Sequence, residues 1–391
     1  MSGWSLSRAR VRALSLAFIA LPLVVAGCSS VAAPDGNGAI TIGVQGPMTG
    51  EYAAEGIGFR NAVTLLVDQT NAAGGINGRK VQLVIEDDKG NAQESALVAD
   101  RLVAKKAIAV IGAWNSGATE PASATYNRAG ILHITPASTA TRLTTKGYQN
   151  FFRVCFLDDR EGLFAATFIT QQLGLKKVAV LHDNSTFALS LAESTKRYLE
   201  PQGATLVFYD AINPAATDFS ATLTKLKATN PEVVYFTGYY PQGSLLLKQA
   251  AAMGLKVQWM GGNAMSSTEL VTIVGVGVAK GFIVTSEPLP SDLDSPEAKQ
   301  FVADYTAKYG AAPTSGWTVL AADAFRVIRH AIATTASTDP KVLADWLHKG
   351  FKDYPAITGS IIGFDANGDR LGTSHRAYVV DDRGQFVPYK Q

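Results

Sequence analysis

Short runs of aliphatic and β-branched residues recur along the chain. They stand at Ile40–Val44, Val81–Ile85, Ala109–Ile111, Ile131–Ile134, Val178–Leu181, Leu206–Phe208, Val233–Phe236, Val257–Met260 and Phe282–Thr285. Most are continuously apolar instead of alternating, the pattern of strands buried on both faces. Helical patterns lie between them. Phe59, Ala62, Val63, Leu66 and Val67 fall at i, i+3, i+4, i+7 and i+8 and lay one apolar stripe along a helix. That pattern stops at Gly74-Gly75, where glycine permits a left-handed turn. Helices are also predicted over 187–200 and from Asp218 to Lys227. Strict strand–helix alternation predicts an α/β protein with open parallel sheets and helices on both faces.

The alternation breaks near 151–160, where an extended segment, Phe152 to Asp159, precedes a fresh strand–helix series. It breaks again over Thr285–Ser291, which holds two prolines, and the strand around Tyr378-Val379-Val380 supplies a third transition. The expected architecture is two doubly wound parallel-sheet lobes joined by a multi-strand hinge. Lobe 1 takes 39–157 plus 287–373, with the helical segments 296–309 and 316–334, and lobe 2 takes 158–286 plus 374–391. Such a pair of lobes can close over a ligand as a hinge.

The N-terminus changes the picture of where the chain works. Arg8, Arg10 and Arg12 precede an apolar stretch, Ala13–Ala26, interrupted only by Ser15 and Pro22 and ending at Val25-Ala26-Gly27-Cys28. This order reads as a secretory signal peptide over 1–27. It falls short of the roughly 20 apolar residues of a membrane span, and no later run is long enough either. Val-Ala-Gly-Cys resembles the lipobox of bacterial lipoproteins, which implies lipidation of Cys28, a membrane anchor and an extracytoplasmic location. Residues 28–38, rich in Ser, Ala, Pro, Gly and Asn, read as a tether. Loss of the leader's three arginines takes the net charge from +2 to −1. With no basic block or aromatic-basic stripe, nucleic acid is not an expected partner. The second cysteine, Cys155, stands between Val154 and Phe156 and reads as a buried structural thiol.

Catalysis is not expected. His133, His182, His330, His348 and His375 are scattered without metal-ligand spacing, and no phosphate-binding loop of the Walker type is present. No cofactor or metal is implied. Asp365-Ala366-Asn367-Gly368-Asp369 lacks the glycine and terminal glutamate at the spacing of an EF-hand calcium loop and reads as a turn through Asn367-Gly368.

Several separated motifs carry a family resemblance from about Ala39 to the C-terminus. Ile42-Gly43-Val44 leads to Gly46-Pro47-Met48-Thr49-Gly50. Asn71-Ala72-Ala73-Gly74-Gly75-Ile76-Asn77-Gly78-Arg79 precedes a strand that ends at Asp87-Asp88. Thr119-Glu120-Pro121-Ala122, Ile134-Thr135-Pro136-Ala137-Ser138-Thr139, Asp218-Phe219-Ser220 and Gly254-Leu255 follow in order. In order and spacing these resemble the type I periplasmic-binding proteins of the leucine/isoleucine/valine class. The resemblance implies the solute-binding component of an ABC importer for an amino acid, closing on its ligand and then meeting the permease subunits.

It also implies site residues. Ser116, Ala137 and Thr139 match positions that hold the α-amino-acid group, on loops beyond the carboxyl ends of strands, where open α/β sheets bind ligands. Tyr239 matches an aromatic that closes over the ligand. Phe187 stands where the family often has Tyr. Asn263 stands where branched-chain binders carry Glu, and an Asn supplies no charge. Glu55 stands where those binders have an aromatic, and Ser315, just before Trp317, stands near another. Glu55 is then a solvated acid at a helix N-terminus, a replacement for the lost carboxylate, or a partner for a cationic or hydroxylated ligand side chain. The departures leave two alternatives open: a binder of an amide or aromatic acid, and a ligand-sensing module without transport.

Overall fold

A computed structural model describes Met1 and residues 38–372 and 374–390. The expected signal peptide, the lipidated Cys28 and nearly all of the tether lie outside the described residues.

The first sheet contains β1 (Ile40–Gly46), β2 (Val81–Asp87), β3 (Ala109–Ile111), β4 (Leu132–Thr135) and β5 (Phe151–Arg153). The second contains β6 (Lys177–His182), β7 (Thr205–Ala211), β8 (Val233–Phe236), β9 (Gln258–Gly261) and β10 (Ile283–Ser286). A small hairpin pairs β11 (Tyr354–Pro355) with β12 (Ile361–Ile362), and β13 (Arg376–Val380) and β14 (Phe386–Pro388) end the chain. Intervening helices are α1 (Ala53–Ala72), α2 (Ala92–Ala104), α3 (Ser116–Ala129), α4 (Asp158–Thr167), α5 (Thr186–Leu199), α6 (Ser220–Ala228), α7 (Tyr240–Ala252), α8 (Thr268–Val274), α9 (Val276–Ala279), α10 (Pro296–Tyr309), α11 (Gly316–Thr335) and α12 (Pro340–Gly350).

The first sheet runs β2-β1-β3-β4-β5 and is wholly parallel. The second repeats that order as β7-β6-β8-β9-β10, also parallel, and then adds β13 and β14 antiparallel on the β10 edge. The antiparallel addition was not foreseen. β13 and β14 are joined by a hairpin about Asp381–Gly384, where Gly384 takes a φ of 77°. Each parallel set therefore has a switch point, between β1 and β3 and between β6 and β8, and the crevice outside such a point is where doubly wound sheets receive ligands.

Burial explains the apolar runs. β1, β3, β4, β8 and β10 are buried almost throughout. β2 and β7 are only half-buried, with Ile85 39% exposed, because each lies at an outer edge of its sheet. The stripe on α1 buries Phe59, Ala62, Val63 and Val67 against β1, β2 and helices α10 and α11. That helix ends where expected, with Gly74 and Gly75 at φ of 104° and 88°. Helix α11 thus packs on β3 and β4 of the first sheet, and α10 packs on α1, although both follow the second sheet in sequence. The chain passes between the sheets three times: after β5, after β10, and between the β12 region and β13. Gly368, in the predicted turn, accepts a hydrogen bond from the Arg153 amide beside β5.

Candidate functional site

The carboxyl ends of the two sheets face one small cavity lined by Trp114, Ser116, Ala137, Phe187, Tyr239, Asn263, Ala264 and Trp317. Trp114 and Ser116 follow β3, and Ala137 follows β4. From the other sheet, Phe187 follows β6, Tyr239 follows β8, and Asn263 and Ala264 follow β9. Five predicted residues, Ser116, Ala137, Phe187, Tyr239 and Asn263, therefore meet in one cavity. Trp114 and Ala264 were missed. Their loops carried other candidates, but nothing local marks an apolar residue as a cavity wall.

The β4 loop is held rigidly. Ser138 Oγ lies 2.6 Å from Thr119 Oγ1, Thr135 Oγ1 donates to the Ala113 carbonyl at 2.9 Å, and the Ala140 amide donates to Ser116 Oγ at 3.3 Å. Arg153 donates to the carbonyls of Ser138 and Ala140, and the Asp158 amide donates to that of Thr139 at 3.1 Å. Among the described residues, no donor meets the Ala137 carbonyl and no acceptor meets the Thr139 amide. Thr139 Oγ1 is buried, faces the Asp158 carboxyl and makes no hydrogen bond of ordinary geometry. Thr139 sits one layer behind the lining.

Aromatic rings close the cavity. Tyr239 packs on Trp114, Phe187 and Tyr52 at centroid distances of 5.1, 5.2 and 5.2 Å. Its hydroxyl lies against the Asn115 side chain and the Ser116 backbone, and with burial first among the causes its pKa is pushed up. Asn263 is 1% exposed, yet neither side-chain atom has a hydrogen-bond partner. Its backbone amide donates to Glu161 Oε1 at 2.8 Å, and Thr285 Oγ1 and Tyr235 Oη donate to the same oxygen at 2.6 and 3.3 Å. Buried polar groups in native proteins are normally paired, and the side chain of Asn263 lines the cavity with its hydrogen-bonding capacity free.

Glu55 lies outside this lining, in the first turn of α1. It is not a solvated acid: it is 1% exposed and takes a 2.6 Å hydrogen bond from Ser315 Oγ. Burial pushes its pKa to about 7, against the opposing effect of Ser315 and Ser267, while Glu269 raises it further. Ser267 and Glu269 belong to the other sheet's side, so Glu55 sits where the two halves meet. Rim contacts hold the halves together nearby. Tyr240 Oη donates to the Glu51 carbonyl at 2.7 Å, and Gln242 Nε2 reaches Glu51 Oε2 at 3.2 Å. On the opposite rim the Thr141 amide meets Ser190 Oγ, and Arg142 meets Thr186 Oγ1 at 3.1 Å.

Cys155 is buried and its thiol pKa is raised, chiefly by burial, which fits an inert structural role. Among the described residues no cluster of His, Cys, Asp and Glu is arranged to hold a metal ion, and no helix is long and apolar enough to cross a membrane.

Comparison with known proteins extends the same picture over the whole described chain. A Pseudomonas aeruginosa protein named amino acid binding protein is 35% identical over 352 residues, covering 89% of this chain and 91% of its own. The leucine-, isoleucine-, valine-, threonine-, and alanine-binding protein of the same organism is 33% identical, covering 84% of this chain and 87% of its own. Among solved structures, the branched-chain amino acid transporter substrate binding protein LivJ from Streptococcus pneumoniae, in complex with isoleucine, matches with a TM-score of 0.82 at 30% identity. The match covers 89% of this chain and 97% of that one. Residues 39–385 match the periplasmic binding protein family. With twin doubly wound sheets, a cavity at their facing switch points and a match over nearly its full length, the chain belongs to that family of solute-binding proteins, and not to a family of enzymes.

Proposed function

We propose that this chain is the extracytoplasmic solute-binding component of an ABC importer and that its ligand is an α-amino acid. One observation carries the reading: the free groups on the cavity lining, with those of Thr139 just behind it, form a complementary set for a zwitterion. The Ser116 hydroxyl and Thr139 amide offer donors to a carboxylate. The Ala137 carbonyl and the Thr139 hydroxyl accept from an ammonium. Asn263 offers one donor and one acceptor from the other side, and Phe187 and Tyr239 exclude water. Glu55 stands outside the lining, buried where the two halves meet. The names of the relatives support the same class of ligand.

In this reading an open form takes the ligand on the first lobe, the second lobe closes over it, and the permease subunits receive the closed form. Cys28 carries the lipid that keeps the protein at the membrane. The uncharged lining, with Trp114 and Trp317, favours one second reading, an amide or an aromatic acid as ligand.

Melting temperatures against a panel of α-amino acids, small amides and aromatic acids test both readings. A ligand at about 100 times its Kd stabilises by about 2.7 kcal/mol, a shift of several degrees for a chain of this size. Amino-acid hits uphold the first reading. Hits confined to amides or aromatic acids replace it with the second.

A further inference from the structure

The buried charges near the hinge do not balance. Arg153, fully buried, pairs with Asp369 at 2.6 Å. Arg370 is held by the Val154 and Ile361 carbonyls and Ser360 and faces Asp323, which also takes Arg326. Three further carboxyls, Asp158, Glu161 and Glu287, are at most 2% exposed, and among the described residues no ion pair reaches any of them. Both oxygens of Asp158, both of Glu287 and one of Glu161 lack a hydrogen bond of ordinary geometry.

The three acids are not equivalent. Glu161 already accepts from Asn263, Thr285 and Tyr235. Glu287 is faced by Arg370. Asp158 stands directly behind Thr139, whose hydroxyl faces its carboxyl and whose loop presents the free Ala137 carbonyl. The groups facing Asp158 are Arg153, Cys155, Asp159 and Glu161 from its own segment, Glu287, and, across the interior, Tyr235 and Tyr239. Acids outnumber cations there, and the cavity lining supplies no charge of either sign.

Resting on the amino-acid reading above, we propose that Asp158, acting through Thr139, is the counter-charge for the ligand's ammonium, and that an amine-bearing ligand drives a proton from this carboxyl to solvent as it binds. Asp158 is thus a positioning residue that makes the site selective for amines. Without a cation, burial pushes its pKa to about 6, outweighing the hydroxyls of Thr139 and Ser190 and the charge of Arg153. An ammonium beside it favours the ionised form, so the affinity for an amine strengthens as pH rises through that value and weakens below it.

The test is calorimetric titration of the purified chain with the tightest binder among the twenty α-amino acids, and with the same skeleton lacking its amine. Titration at pH 6 in buffers of different ionisation enthalpy is expected to show release of about half a proton, and Kd is expected to weaken about tenfold from pH 7 to pH 5. In Asp158→Asn both effects vanish and amino-acid affinity at pH 7 falls more than tenfold, while the des-amino compound is held no less tightly. Wild-type binding without proton release overturns the proposal even if the variant does not fold. A pH slope that survives Asp158→Asn, or disappears in Glu287→Gln, overturns it too. If no amino acid binds wild type at any pH, the amino-acid reading itself has failed, which is a different outcome.

Discussion

Glu55 illustrates how one buried acid couples the site to stability. Its folded pKa of about 7 lies above the ordinary carboxylate value of 4.5, with burial the leading cause. The folded form therefore holds the proton more tightly than the unfolded chain. The corresponding stability is complete below about pH 4.5 and is lost as pH rises through 7. Glu55→Gln keeps an acceptor for Ser315 and removes the ionisation. At pH 8 the variant is expected to be more stable than wild type by up to about 3 kcal/mol, and at pH 4.5 the two are expected to match. Urea unfolding at both pH values measures this; a variant weakened equally at both would show that the carboxyl is needed for its shape alone. The sequence marked Glu55 as a departure from its relatives but left its surroundings open, because burial of a first-turn acid depends on a partner, Ser315, 260 residues away.

At the scale of elements, local pattern and tertiary context divide clearly. The stripe on α1 and its glycine stop were legible because both are properties of consecutive residues. The half-exposed character of β2 and β7 was not, since an apolar run does not say whether its strand will lie at an edge. The site divides the same way. Ser116, Ala137, Phe187, Tyr239 and Asn263 were picked out by their match to family positions, and the fold brings them to one cavity, whereas Asp158 and Glu161 look like ordinary acids in the first turn of a helix, where the macrodipole welcomes them. Only the fold reveals that they are buried. Packing of α1 against the strand that precedes it also rests on one small residue. A Cβ at Gly56 would stand 2.2 Å from the Pro47 carbonyl oxygen, which is backbone and cannot swing aside. Gly56→Ala is expected to destabilise by about 1–3 kcal/mol, read from its urea midpoint. An unchanged midpoint would mean that the loop after β1 shifts freely.

The whole molecule is two similar halves clasped at opposite rims of a cavity. Few bonds hold each rim, so closure is expected to be reversible and sensitive to single contacts. Tyr240→Phe removes the bond to the Glu51 carbonyl and leaves the ring in place. It is expected to weaken ligand binding about fivefold, nearly all through faster dissociation, in line with about 1 kcal/mol for one hydrogen bond. Stopped-flow release kinetics separate this from a slower association, which would place Tyr240 in encounter instead of closure. The order in which the halves are completed has a consequence for biosynthesis. β1 to β5 are finished by Arg153, but α11, which packs on β3 and β4, ends at Thr335. At typical elongation rates that gap lasts roughly 10–40 s on the ribosome. Throughout it the nascent chain lacks the helix that packs on β3, β4 and α1, so a truncated product ending before α11 leaves that apolar surface open and is a substrate for chaperones and proteases.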